Sequence, residues 1–373
     1  MRRLRVGVIG CGAIAQIMHL PHLRELDERF ALVALCDAAP ETLAAVGDFC
    51  GVAARFTDYR ALLVQDLDAV LVLTAGSHAE ATLAALRAGK YVFVEKPLAY
   101  TVREADAVVA AAAETGLTVM VGYMKRYDPA YRHARELVRR LDRLRFVRVT
   151  ILHPADEAYW SHIRIRRRPG APRPTVPPTL DELKAALRAA VSAGPEAALI
   201  EEALGGASAA SVAQRITYLQ LIGSLVHQVN ALRGILGEPE GVGPTEIWND
   251  GLCFTAALRF PADVRATLQW LYLPEYKRYQ EEYGFLADAA RVWLQFPSPY
   301  LRNEPTLVLG EGMEGGVAWE RRDLISYEEA FALELVHFHE CVTEGRRPET
   351  PAEDGRADLA LLRAMALAWH GSA

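Results

Sequence analysis

The sequence predicts a two-domain α/β protein: an N-terminal Rossmann-type, doubly wound parallel sheet, then a second α/β domain built on a large open, mostly antiparallel sheet. Three observations carry this. Short apolar runs alternate with helix-period segments as far as residue 122, the pattern of βαβ units. A glycine-rich turn joins the first of these runs directly to the first helical segment. From Val242 to Trp319 the apolar period falls to two, the spacing of half-buried strands. The domains are therefore expected at 1–122 and 123–373, with an irregular insertion at about 153–215.

Composition sets the outer limits. At 373 residues there is enough chain for two full cores, and 51% hydrophobic with 24% charged residues is ordinary for a globular protein. A net charge of -6 argues against a broad footprint for nucleic acid or anionic membrane. No apolar run approaches the roughly 18 residues of a membrane helix. The start, Met1-Arg-Arg-Leu-Arg5, resembles a signal sequence only until Gly10 and Gly12 end its apolar run. The five cysteines, Cys11, Cys36, Cys50, Cys253 and Cys341, are scattered and lack metal spacing. A cytoplasmic protein with no metal site is expected.

Leu4 to Ile9 reads as the first strand, and Gly10-Cys11-Gly12-Ala13-Ile14-Ala15 opens a helix to about Leu26. In this G-x-G-x-x-A pattern Gly10 makes the turn, Gly12 admits a pyrophosphate, and Ala15 lets helix and strand pack closely. The phosphates would rest on the helix N-terminus. A second strand, Phe30 to Cys36, ends in Asp37, 25 residues after Gly12. An acidic side chain there accepts hydrogen bonds from ribose hydroxyls and repels a 2′-phosphate, which favours NAD and leaves NADP as the alternative cofactor. The structural alternative for Asp37 is a helix cap before Pro40.

The alternation continues with a helix at Pro40 to Cys50, a strand ending at Phe56, a helix from Asp58 and a strand at Ala69 to Leu73. Thr74 and His78 bracket a small-residue turn into the helix ending at Ala88; they are placed at the cofactor, with helix capping as the other role for His78. Tyr91 to Pro97 is a strand that delivers Glu95 and Lys96 at its carboxyl end, where open α/β sheets bind ligands. A lysine held there by a glutamate and dried by a cofactor ring is fitted for proton transfer; alone, Glu-Lys-Pro would be a surface salt bridge. The helix Val102 to Thr115 and the strand Leu117 to Val121 complete the first domain.

Beyond Gly122, Tyr123 and Arg126 precede a helix ending at Leu141 and stand where they line a cleft or serve structure alone. After a strand at Phe146 to Leu152 comes the insertion, with Trp160, the cluster Arg164, Arg166, Arg167 and Arg168, and six prolines between Pro169 and Pro195. Such a segment is a lid, an oligomer arm or a mobile loop. The arginines form a solvated face, or meet an anionic substrate group or partner subunit. Ala- and Glu-rich helical sequence runs from Leu180 to Ala213. On the helix Leu219 to Leu236, Gly223, His227, Asn230 and Gly234 recur at spacings of three and four, a stripe that suits a ligand. The aromatic group Trp270, Tyr272, Tyr276, Tyr279 and Tyr283 suits sheet packing or a subunit interface, and two amphipathic helices, Glu328 to Glu344 and Glu353 to Trp369, close the chain.

Taken together, Gly10 to Ala15, His19-Leu-Pro21, His78, Ala85 to Lys90, Glu95-Lys-Pro97, Gly122 to Pro129, and His227 with Leu236-Gly-Glu-Pro239 resemble the Gfo/Idh/MocA oxidoreductases over nearly the whole chain. The resemblance implies a Rossmann domain paired with an α/β domain whose open sheet mediates homodimers or homotetramers. It implies NAD- or NADP-dependent hydride transfer at a secondary alcohol or ketone of a sugar, cyclitol or related small molecule. By the same resemblance Lys96 contacts the reacting oxygen and His227 is the general acid/base. Tyr123, Arg126 and Asn230 are placed on the substrate side of that site. Many family members carry an aspartate four residues before that histidine and another three after it, whereas here these positions are Gly223 and Asn230. That departure keeps two other readings open: a dinucleotide-binding regulator without turnover, and a biliverdin-reductase-like reductase of an unsaturated or imine substrate.

Overall fold

The computed structural model describes residues 2–155, 162–166, 179–206 and 210–369. The chain divides into two compact units, one of residues 1–124, 163–175 and 331–359 and one of residues 125–162, 176–330 and 360–373. Trp160, Arg167 and Arg168 lie outside the described residues.

In the first unit β1 (Leu4–Ile9), β2 (Phe30–Cys36), β3 (Ala54–Phe56), β4 (Ala69–Val72), β5 (Tyr91–Glu95) and β6 (Val119–Gly122) form one parallel sheet in the order β3-β2-β1-β4-β5-β6. The order reverses between β1 and β4, which opens a crevice at the carboxyl ends of the strands. β4 is apolar and buried at every position, as a strand covered on both faces must be. Helix ends follow local signals. Thr101 and Glu104 make a reciprocal capping box at Val102–Thr115, and Gly116 ends that helix at φ +67°.

Two features were not visible in local pattern. The first helix contains a π-helical turn at Ala15–His19 before its last segment Leu20–Glu25. The expected C-terminal helix, Ala330–Glu344, joins the first unit from Phe331 onward, with Phe338 edge-on to Phe93 at 5.8 Å between ring centroids. The edge of β6 is then closed from far along the chain: Val121 N–H donates to the Thr350 carbonyl at 2.8 Å, and the Thr350 hydroxyl donates to the Val121 carbonyl at 2.7 Å.

The second unit carries β7 (Leu144–His153), β8 (Gly241–Trp248), β9 (Cys253–Phe260), β10 (Val264–Tyr272), β11 (Gln280–Ala287), β12 (Ala290–Phe296), β13 (Leu307–Glu314) and β14 (Val317–Leu324). They lie in the order β14-β13-β12-β11-β7-β10-β9-β8, and only β7 and β10 run parallel. The mostly antiparallel sheet is as expected. β13 and β14 outrun the alternating pattern because glycines interrupt it: Gly312 stands opposite Trp319, and a Cβ there would come within 2.5 Å of the indole. Pairing, not burial, makes this edge strand.

The interior of this unit holds a charge pair. The Lys125 ammonium lies 2.9 Å from Glu281, with side-chain exposures of 5% and 0%. Tyr279 and Tyr283 donate their hydroxyls to the same carboxylate, and the ammonium sits 4.1 Å over the Phe296 ring. Removing one member of such a pair strands the other. Lys125→Met should therefore cost about 3 kcal/mol, and adding Glu281→Gln should recover part of the loss. Urea unfolding measures both; an unchanged midpoint for Lys125→Met would show that the pair contributes nothing.

Candidate active site

The glycine-rich loop has one tight side and one open side. Gly10 sits at φ +99°, and a Cβ on it would come 2.7 Å from the carbonyl of Leu73, so only glycine fits. At Gly12 none of the described residues lies within 4 Å of where a Cβ would stand. The Asp37 carboxylate pins the loop to the end of β2: it accepts the Cys11 N–H at 2.7 Å and the Ala39 N–H at 2.8 Å. Ala39, not Asp37, is the cap residue of the helix Pro40–Cys50. Burial pushes the Cys11 thiol up to about 12 and the Cys36 thiol up to about 11, so neither supplies a thiolate nucleophile at neutral pH. An exposed Gly12 at the start of the first helix and a carboxylate at the end of β2 fit a dinucleotide.

Gln16 was not singled out by sequence, since one amide on a helix carries no signal. Its side chain donates to the Cys11 carbonyl at 2.8 Å and the Arg166 carbonyl at 3.0 Å, and accepts the Arg166 N–H at 2.7 Å. The Arg166 guanidinium lies 3.4 Å over the Phe49 ring. This member of the arginine cluster is tied to the helix behind the glycine loop, while Arg164 is exposed.

The carboxyl ends of β4 and β5 are joined through two histidines. Both His78 ring nitrogens face backbone carbonyls, of Pro97 at 2.6 Å and Thr74 at 2.8 Å. Burial pushes His78 below the ordinary histidine value, against the pull of those carbonyls. His19, fully buried, lies with Nε2 2.7 Å from Glu95 Oε1, and the Lys96 N–H donates to Glu95 Oε2 at 3.1 Å. Burial alone would push the Glu95 carboxyl up; the hydrogen bond and charge of His19, helped by Lys96 and His78, hold it below the ordinary glutamate value. The buried Glu334 carboxylate comes within 4.8 Å of this pair. Lys96 itself is half-buried at the strand end.

In the second unit the helical stripe divides. Gly223 is exposed, with nothing within 4 Å of where its side chain would begin, and His227 is half-buried one turn on, just past a π-helical turn at Leu221–Leu225. Asn230 is fully buried and accepts from Arg126 at 3.4 Å. A Cβ at Gly234 would strike Tyr131 and Arg126 at 2.3 and 2.6 Å, so this glycine makes room for protein and not for ligand. Tyr123, in the first unit, is 1% exposed.

Residues 4–123 match the Gfo/Idh/MocA family described as "Oxidoreductase family, NAD-binding Rossmann fold". The match is to the N-terminal domain, which is of the Gfo/Idh/MocA oxidoreductase type. Among curated members, inositol 2-dehydrogenase 3 of Saccharopolyspora erythraea is 43% identical over 139 residues, 36% of this chain and 40% of that protein. The chain thus matches well under half the length of that curated relative. Across the whole chain the fold recurs in solved structures. A 3-ketoreductase from Actinomadura kijaniata in complex with NADP and TDP-benzene aligns at TM-score 0.72 and 23% identity, covering 99% of this chain and 98% of that one. An aldose-aldose oxidoreductase from Caulobacter crescentus aligns at TM-score 0.72 and 22% identity, over 98% and 96%. NAD or NADP is the cofactor class of the family's Rossmann domain.

The His19–Glu95 contact is open to direct measurement. Because the folded pKa of Glu95 lies below its unfolded value near 4.5, its contribution to stability is complete above that pH and is lost as pH falls through the folded pKa. His19→Leu leaves the carboxylate without its donor and should cost about 3–5 kcal/mol at pH 7. The gap between wild type and variant should narrow on acidification below about pH 4.5. Urea unfolding at pH 7 and pH 4 reads it; a gap that does not change with pH would mean Glu95 is not ionised in the fold.

Proposed function

We propose that the chain is an NAD-dependent dehydrogenase or reductase acting at a secondary alcohol or ketone of a sugar, cyclitol or related small molecule. The observation that carries this reading is the end of β5. Lys96 leaves the sheet there beside a carboxylate locked by His19, on the same crevice edge as the open Gly12 loop. The inositol dehydrogenase likeness of the N-terminal domain and the ketoreductase fold support the substrate class. Bound nicotinamide would supply or accept the hydride. The loop backbone from Gly10 through Ile14 would hold its phosphates, with Thr74 and His78 shaping the wall beside them. Asp37, already fixed by two backbone amides, would take the ribose hydroxyls and disfavour a 2′-phosphate.

Lys96 is assigned a hydrogen bond to the reacting oxygen, where its charge stabilises the negative charge that develops. His227 is assigned the proton exchange. Tyr123, Arg126 and Asn230 are buried or half-buried and act as positioning groups behind the reacting surface. Gly223 leaves space beside His227 where many family members carry an aspartate, so that side of the site offers room and no carboxylate.

The test follows absorbance at the nicotinamide band with NAD(H) or NADP(H) against sugars, sugar acids, inositols and their keto forms. Substrate-dependent change with NAD(H) preferred is expected, and Lys96→Ala should lower kcat by about 10²–10³-fold with little change in NAD affinity. Tight dinucleotide binding with no turnover across the panel would favour the regulator instead. Collapse of NAD binding with turnover retained would make Lys96 a cofactor ligand.

The chain is also assigned to a homodimer or homotetramer through its second sheet. β14 is an edge strand with Val317, Trp319 and Leu324 exposed by 68%, 40% and 52%, beside Met313 at 56%. Exposed apolar side chains there, beside the charged run Glu320 to Asp323, give a partner both apolar surface and charge to meet. Light scattering should return at least twice the 41.1 kDa chain mass, and Trp319→Glu should lower it; a monomeric wild type would dispose of the assignment.

A further inference from the structure

A cavity of about 480 Å³ lies wholly within the second unit, at the end of the sheet where β11 begins, β12 ends and β13 begins. That volume suits a small organic molecule and is far larger than a bare inorganic ion requires. Its chemistry is uneven in a useful way. Lys277 and Arg278 bring two cationic side chains to the exposed side, and neither is paired with a carboxylate among the described residues. Glu304 is the one lining carboxylate, so the formal charge of the lining, with His162 neutral, is two positive against one negative.

The walls are flat and held in place. Tyr279 and Phe296 line the cavity, and both are fixed from behind by the buried Lys125–Glu281 pair. The Tyr279 hydroxyl donates to Glu281; one face of Phe296 carries the Lys125 ammonium, and Tyr283 meets that ring edge-on at 5.7 Å. Phe296 is only 7% exposed and backs the wall, so the half-buried Tyr279 offers the preformed surface for a planar group at little entropic cost. Ser298, also in the lining, is 9% exposed, and its hydroxyl oxygen has no hydrogen-bond partner among the described residues. A polar group in that state leaves a bond to be made. Glu304 adds an acceptor suited to hydroxyls of a sugar ring.

We propose that this cavity binds an organic anion bearing a flat ring, of the size and chemistry of a nucleoside diphosphate. Lys277 and Arg278 take the charged group, Tyr279 backed by Phe296 the ring, and Ser298 a hydrogen bond. The site does not depend on the oxidoreductase reading, and its test needs no turnover.

The experiment is titration calorimetry on the full chain saturated with NAD, so that the glycine-rich loop is already filled, using UDP, uridine and inorganic phosphate as separate probes. UDP should bind at one site at least tenfold more tightly than either fragment, because only it spans ring and charge. The double variant Lys277→Gln/Arg278→Gln should weaken UDP by about tenfold or more with an unchanged thermal midpoint, since both side chains are exposed. Ser298→Ala should weaken it several-fold. Absence of UDP binding, or equal binding by the double variant, would overturn the site. Phosphate bound as tightly as UDP would overturn the role of the aromatic walls.

Discussion

A carboxylate taken out of water at the end of a parallel strand must find donors or become protonated, and Glu95 finds two. His19 reaches one oxygen at 2.7 Å and the Lys96 amide reaches the other at 3.1 Å. The first belongs to the helix that opens at the glycine-rich loop; the second belongs to the strand end that presents the candidate catalytic lysine. The contact therefore makes one mechanical piece of the cofactor loop and the strand end. His19 is itself wedged edge-on against Phe93 and Phe331, so its ring cannot swing away without opening the core. Desolvation costs of several kcal/mol are offset only while that geometry holds.

Much of the first unit was legible because its signals are local. β1 and β2 fall at the residues where apolar runs meet a glycine turn or an acidic stop, and Gly10 fails as any other residue for a reason that the G-x-G pattern already implies. The His19–Glu95 contact was not legible as a contact, since 76 positions separate its members and nothing in either neighbourhood names the other. The same holds for the closure of β6 by Thr350, which joins residues 229 positions apart. Both π-helical turns, at Ala15–His19 and Leu221–Leu225, lie inside segments whose apolar period reads as continuous helix. A single widened turn leaves too small a phase change for the pattern to register.

The helical stripe shows where periodicity misleads. Spacing of three and four places Gly223, His227, Asn230 and Gly234 along one side of a helix, yet what each residue meets depends on what packs there. Among the described residues the turn containing Gly223 faces open space; about two and three turns later the same side is filled by Arg126 and Tyr131. Glycine serves opposite ends at the two positions, leaving a void at one and yielding room to a guanidinium at the other. Only the first could bear on a ligand. Sequence marks both alike, because absence of a side chain is the same letter in either case.

The departure from the family pattern then takes on electrostatic meaning. At position 230 an aspartate would face the Arg126 guanidinium; the asparagine keeps a hydrogen bond to it without the charge. At position 223 an aspartate would stand in open space beside His227, and glycine removes it altogether. This helix thus presents up to two fewer negative charges than many of its relatives do. A carboxylate repels an approaching anion most strongly where water is scarce, so its loss matters most for a ligand that brings negative charge of its own. The same unit holds Lys277 and Arg278 at the mouth of an aromatic-walled cavity. Each feature, taken alone, favours a ligand that carries negative charge over a neutral polyol.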